Sequence, residues 1–272
     1  MTDTTLPPIL FHYTTASGLL GILSSRRLWA THARFLNDAK EVEYGVEFVK
    51  SVLSAYPQSD LGILPRAPFD NVRSTYFVAC LCEAGDLLSQ WRGYTANQTG
   101  YAIGFETASL SSDRLFRVLY DPHEQDTAVR AVVERRLANR EKLTRNDLGI
   151  EFEFDLLELA IRLKHPTFAE EREWRLVHHI DDWRPGTGPK NIGLHFRPSN
   201  HSVVPYVELS PATKPGLWKQ PILRLQSLRF GPAPSPSDVR EALQWLLWHH
   251  GYVVGPNVLD TKILGSATPL RL

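Results

Sequence analysis

The run YFVACLC, residues 76–82, is seven residues long, carries no charge and mixes aromatic, β-branched and small side chains. That combination reads as a buried strand, so the fold is expected to form around a sheet. The run holds the only two cysteines of the chain, Cys80 and Cys82. On a strand, residues i and i+2 face the same way, and the pair reads as buried thiols rather than a disulfide, with too few ligands for a structural zinc site.

Elements of both kinds surround this strand. LFHY reads as a short strand, Thr14 or Thr15 as the cap of a helix through SGLLGILSS, and RLWATH as a second strand. RFLNDAKEVEYGVEFVKSVLSAY follows helical spacing until Pro57, with Asp38 and Glu41 resembling a capping box. Residues 57–74 read as a loop, LLSQWRGY as a short helix or turn, GYAIGFE as a strand, and Leu115 to Tyr120 as another. A helical insertion is expected over about 127–165. EWRLVHHI returns to strand, DWRPGTGPKN is a loop, and HFRPSNHSVVPYVELS holds further strand material. ILRLQSLRFGP then leads into the helix SDVREALQWLLWHHG and a last strand near VVGPNVLDTKI. The layout is that of an α+β protein with a single domain over residues 1–272 and neither repeat nor low-complexity linker.

Composition narrows the function classes. Thirty basic residues balance thirty acidic ones, so no overall field draws the chain to nucleic acid or an anionic membrane. No apolar stretch approaches the roughly 20 residues of a membrane span, and MTDTTLPPIL lacks the pattern of a signal peptide, so a cytoplasmic location is expected. GxGxxG, P-loop, HExxH and GxSxG motifs are absent, which argues against Rossmann enzymes, P-loop NTPases, zincins and nucleophile-elbow hydrolases.

Four stretches carry candidate chemistry. AEEREWRLVHH, residues 169–179, places Glu170, Glu171 and Glu173 before an apolar strand. Neighbouring charge and burial would both move the pKa of such a carboxylate, although a solvated helix end accounts for the charges equally well. If Glu171 to Glu173 is extended, both carboxylates share one face; if it is helical, they diverge. In FHYTT, His12 offers hydrogen bonds, Tyr13 an aromatic platform and Thr14 a hydroxyl at a helix start, a set suited to phosphate or ribose; a capped strand end is the plainer alternative. Ser89, Trp91, Arg92 and Tyr94 could stack a planar ring and contact phosphate, or Trp91 and Tyr94 could be core residues of one helical turn. In FLNDAKEVE the oxygen-bearing residues Asn37, Asp38, Glu41 and Glu43 support a metal site only weakly, since capping explains two of them.

Taken in order, FHYT, RFLNDAKEVEYG, VACLCEAGDLLSQWRGYTANQTGYAIGF, KHPTFAEEREWRLV and the terminal LRFGPAP and GSATPLR resemble a bacterial family, the domain of unknown function 2971, over nearly the whole chain. The strand bearing HYT, the helix ending in GIL and the late Glu-x-Glu also look like the ADP-ribosyltransferase fold, with a mixed, mostly antiparallel sheet core. That second resemblance implies an enzyme that cleaves the nicotinamide–ribose bond of NAD and transfers ADP-ribose to protein, nucleic acid or water. It assigns ribose contact to His12, the catalytic carboxylate to Glu173 or, by a shift of two, Glu171, stacking to Tyr13, Trp91 or Tyr94, and pyrophosphate contact to Arg175, Arg92 or Arg34. The middle motif of that superfamily has no clear counterpart here. The reading requires His12 and Glu173 to line one cleft beside an aromatic ring. The family's company with defence genes implies a toxin or phage-defence effector. The same company fits a metal-dependent nuclease centred on Asp38, Glu41 and Glu173, or a nucleotide-binding sensor. A noncatalytic interaction module would instead leave the acidic cluster exposed.

Overall fold

A computed structural model describes residues 6–36, 39–57, 76–94, 100–110, 114–139, 145–180, 193–198, 203–210, 223–257 and 260–268. The loop expected over 57–74 falls outside them except for Pro57, and Asn37, Asp38 and all of DWRPGTGPKN lie outside them as well. The chain opens as the sequence predicts, with strand β1 (Ile9–Thr14), helix α1 (Ala16–Ser25) and strand β2 (Leu28–His32). Thr15, rather than Thr14, caps α1 by accepting a hydrogen bond from the Gly18 amide at 3.3 Å.

Helix α2 (Ala39–Leu53) precedes β3 (Tyr76–Cys82), the strand read from YFVACLC. A short helix α3 (Leu88–Tyr94), β4 (Tyr101–Glu106) and β5 (Leu115–Arg117) follow. The helical insertion is α4 (Pro122–Asn139) and α5 (Arg145–Ile161), and β6 (Glu173–His179) comes directly after it. The chain continues through β7 (Leu194–Pro198), β8 (Val203–Leu209), β9 (Leu225–Phe230), α6 (Pro236–His249) and β10 (Lys262–Gly265).

The ten strands form one sheet in the order β10-β9-β4-β1-β3-β2-β8-β7, with β6 on β3 and β5 on β6. Among the described pairs only β9 with β10 is parallel, so the sheet is mixed and mostly antiparallel and the fold is α+β. No helix among the described residues is long and apolar enough to cross a membrane.

Strand β3 is the hinge of this arrangement. One edge pairs along its whole length with β6, while the other is shared by β2, at Phe77 and Val78, and β1, at Cys82. The sheet therefore forks along the middle of β3. One face is covered by α1 and α6, whose Leu19, Ile22, Leu23, Leu243 and Leu247 pack on Leu10, Leu81, Ile103 and Trp174. The other is covered by α2, α4 and α5 over Val78 and Val177, and by α3 over Tyr13 and Ala102. The two sets of covering helices build separate apolar clusters on that second face, and a cleft lies there.

Candidate functional site

The cleft has a volume of about 350 Å³, within the range of small-molecule sites. Phe11 and Tyr13 of β1, Cys80 and Cys82 of β3 and Glu173 of β6 line it from the sheet. Strand register explains the set: Phe11 lies opposite Cys82, and Cys82 opposite Glu173, and directly opposed residues share a face. Ser89, Gln90 and Gly93 of α3 contribute one wall; Lys164, Phe168 and Glu171 contribute another.

Glu171 and Glu173 both reach the cleft by a route that neither extended nor helical geometry alone provides. Pro166–Glu171 forms a 3-10 turn, Glu173 opens β6, and Arg172 between them adopts a left-handed conformation, φ 42° and ψ 54°. That conformation is unfavourable for a residue with a side chain, and here it aims the flanking carboxylates at one ammonium group. Lys164 Nζ donates to Glu171 Oε2 at 2.7 Å and Glu173 Oε2 at 3.0 Å. Arg175, two residues along and on the same face, grips Glu173 through Nε at 2.7 Å and Nη2 at 3.1 Å, and its Nη1 donates to the Ile161 carbonyl at 2.5 Å.

The four charges balance. Arg175 is fully buried, and Lys164 and Glu173 are nearly so. Burial by itself would raise the Glu173 pKa; the nearby charges of Arg175 and Lys164, with hydrogen bonds from Arg175 and Cys80, outweigh it and hold the carboxyl below its ordinary value. Burial and the Glu173 charge push the Tyr120 phenol up, and its oxygen accepts the Glu173 amide hydrogen at 3.0 Å. Burial raises the Cys82 thiol to about 11, so it stays protonated and donates to the Glu171 carbonyl at 2.8 Å.

Of the candidate site residues whose side chains are described, Glu171, Glu173, Tyr13 and Ser89 line this cleft, and His12, Thr14, Arg34, Trp91, Arg92 and Arg175 are not among its lining residues. Tyr13 is fixed at both ends, its hydroxyl bridging the Ala84 carbonyl and the Leu87 amide at 2.9 Å each and its ring lying edge-on to Trp91. Trp91 is wholly buried and donates to Asp86 at 2.7 Å, so it is core beneath the cleft. Thr14 is buried against Gly18 of α1, and Arg92 and Arg34 are exposed. Tyr94 closes α3, but its side chain lies outside the described residues. Arg175 supports Glu173 from behind and does not line the cleft.

His12 is the principal departure. It alternates with Tyr13 along β1 and falls on the opposite face with Leu10 and Ile103. Its Nδ1 donates to the Cys80 carbonyl at 2.9 Å, filling the hydrogen-bonding gap at the fork of the sheet. The required meeting of His12 and Glu173 in one cleft does not occur. Lys164 and Phe168, by contrast, were not selected from sequence: a lysine after an amphipathic helix reads as solvated, and nothing local announces that two later glutamates will enclose it. The Asp38, Glu41 and Glu173 metal set is not described, because Asp38 and the Glu41 side chain lie outside the described residues. Among the described residues no group of three His, Cys, Asp or Glu side chains is placed to hold a metal ion.

The fold and cleft define an α+β protein with a carboxylate pair, the buried Glu173 and the half-buried Glu171, at the wall of a small-molecule-sized cavity. The family resemblance is shown by a model described as Protein of unknown function (DUF2971), which matches residues 90–176. The matched stretch runs from α3 to β6 and includes Lys164, Glu171 and Glu173; FHYT and RFLNDAKEVEYG lie outside it. No curated protein and no solved structure matches the chain.

Proposed function

We propose that the cleft is a nucleotide-binding site that takes the nicotinamide end of NAD; with His12 on the opposite face, the ADP-ribosyltransferase reading is given up in its full form, and any transfer of ADP-ribose rests on Glu171 and Glu173 alone. The observation that carries this reading is a carboxylate pair, Glu171 and Glu173, at the wall of an aromatic-lined cleft, with Glu173 held ionised. Cleaving the glycosidic bond sends its electron pair to the ring nitrogen, neutralising the ring and leaving positive charge on the ribose. A fixed negative charge beside that carbon favours the transition state over the ground state. Water or an acceptor hydroxyl then attacks the ribose carbon through its oxygen and loses its proton to bulk water. Protein, nucleic acid and water all remain candidate acceptors.

Binding without turnover is the second reading, and a specific feature favours it. The Glu173 oxygens already accept three hydrogen bonds from Arg175 and Lys164, which leaves them little capacity for a ribose hydroxyl. Incubation with NAD while nicotinamide release is followed separates the two. The enzyme reading expects release by the wild type, a fall of about 10²-fold or more in Glu173→Gln, and a smaller fall in Glu171→Gln. NAD binding with no release in the presence of protein, nucleic acid and water acceptors would establish the sensor reading instead.

A further inference from the structure

Helix α6 buries one side and exposes an aromatic surface on the other. Leu243 and Leu247 pack toward the sheet, while Asp238, Glu241, Trp245 and Trp248, at steps of three and four residues, form an exposed stripe along the opposite side. Trp245 is 64% exposed and Trp248 51%, and their rings meet edge to face with centroids 6.1 Å apart. Two large rings side by side make an apolar knob on a face that is otherwise polar, the kind of surface that marks a contact with another molecule.

The charges around the knob are sorted by end. Asp238 and Glu241 lie in the N-terminal half of α6, and no acidic residue occurs in the sequence between Glu241 and Asp260. At the C-terminal end stand His249 and His250, joined there by the exposed Arg26 from the end of α1, whose Nη2 donates to the His250 carbonyl at 3.3 Å. Arg240, the basic residue of the N-terminal half, is turned inward: its Nη1 donates to the Ile263 carbonyl, and its guanidinium lies 5.9 Å from the centre of the Phe230 ring. A surface acidic at one end, basic at the other and aromatic between is complementary to itself after a half rotation.

We infer that the outer face of α6 docks a second copy of this chain, the two helices packing antiparallel about a twofold axis between Trp245 and Trp248. At a rise of about 1.5 Å per residue, Glu241 lies about 8 Å along the helix on one side of that axis, and the His250 carbonyl held by Arg26 about 5 Å on the other. Two long side chains span the difference, so Glu241 of one copy meets Arg26 of the other, twice over. The helix dipoles also oppose, each positive N-terminal end lying beside the negative C-terminal end of its neighbour. The four tryptophans form the dry centre, where aromatic side chains contribute most to association. A contact built on one helix face is at the small end of protein interfaces, so the dimer is weak, with a Kd of about 10–100 µM. Helix α6 covers the face of the sheet away from the cleft, so the dimer is independent of the function proposed above.

Sedimentation of the full chain over a range of about 1–300 µM tests this. The wild type should shift from monomer to dimer across the range. Trp248→Lys should stay monomeric throughout while keeping the thermal midpoint of the monomer within a few degrees of wild type, since the side chain it replaces is exposed. Glu241→Arg and Arg26→Glu should each weaken the dimer by about tenfold, and the two together should restore it to within about threefold of wild type, a rescue that only the antiparallel arrangement gives. A wild type that is monomeric throughout, a dimer that persists in Trp248→Lys, or a double substitution that associates no better than the single ones would overturn the inference. A monomeric wild type that floats with phosphatidylglycerol vesicles, and ceases to do so in Trp248→Lys, would overturn it in favour of a lipid surface.

Discussion

The entrance of β6 and the middle of β1 both present closely spaced candidate residues, and the backbone deals with them in opposite ways. At β6, Glu173 and Arg175 stand two apart on one face, and the left-handed Arg172 brings Glu171 round to join them at Lys164. At β1, His12 and Tyr13 are adjacent, so the pleat sends one to the fork and the other to the cleft wall. The lesson concerns parity. A resemblance transfers residue types, but only strand alternation says whether two of them can serve one ligand.

The largest expected effect lies at β6. Glu173→Gln leaves the fully buried Arg175 without its counter-charge, and breaking such a pair costs about 3–5 kcal/mol. Glu173 titrates lower in the folded protein than its ordinary 4.5, so its contribution is complete above that value and is lost as pH falls through the lower folded one. Chemical denaturation of the wild type and Glu173→Gln from neutral pH downward should give stability curves that converge below about pH 4.5. Parallel curves would remove Glu173 from the charge cluster.

A smaller loss, of a different kind, is expected at β1. His12→Ala leaves the Cys80 carbonyl without the imidazole hydrogen bond at the fork, a cost of about 1–3 kcal/mol. The His12 pKa is lowered to about 4, first by burial and also by the Arg197 charge, against the hydrogen bond to Cys80. The unfolded chain takes up this proton near 6.5, so the stability held above that value is lost as pH falls toward about 4. His12→Ala should flatten the stability curve within this window and leave any affinity of the cleft for NAD unchanged. Loss of NAD affinity in a folded variant would return His12 to the site.

Much of this layout is visible in local sequence. A short apolar strand, a threonine cap and a resumed strand predict β1, α1 and β2, and the uncharged YFVACLC predicts an interior strand. The helical insertion is legible from its length and periodicity. The opposite orientation of His12 and Tyr13 is legible too, once HYT is read as extended. The enclosure of Lys164 is not, since it depends on a bridge between Leu119 and Leu163, the left-handed Arg172 and the pairing of β6 with β3. These are long-range contacts, and an isolated lysine carries no local signal of them. Trp91 is core rather than a stacking platform because of the Tyr13 ring packed edge-on against it, a contact distant in sequence, together with the nearby Asp86.

The smallest expected effect separates the buried cluster from a surface charge of the same type. Arg92 stands in α3 next to the buried Trp91, yet it is exposed, while Arg175 is wholly buried. An exposed arginine away from a buried network contributes within about 0.5 kcal/mol, because water solvates its charge in the folded and unfolded chain alike. Arg92→Ala should therefore leave both the thermal midpoint and any affinity for free nicotinamide close to wild type. If affinity for NAD falls by about tenfold or more while affinity for the isolated ring holds, Arg92 contacts a phosphate beyond the cleft. Affinity for both ligands unchanged within a factor of about two assigns recognition to the carboxylates and aromatic walls, and leaves Arg175 as the arginine that matters, acting through Glu173 rather than through the ligand.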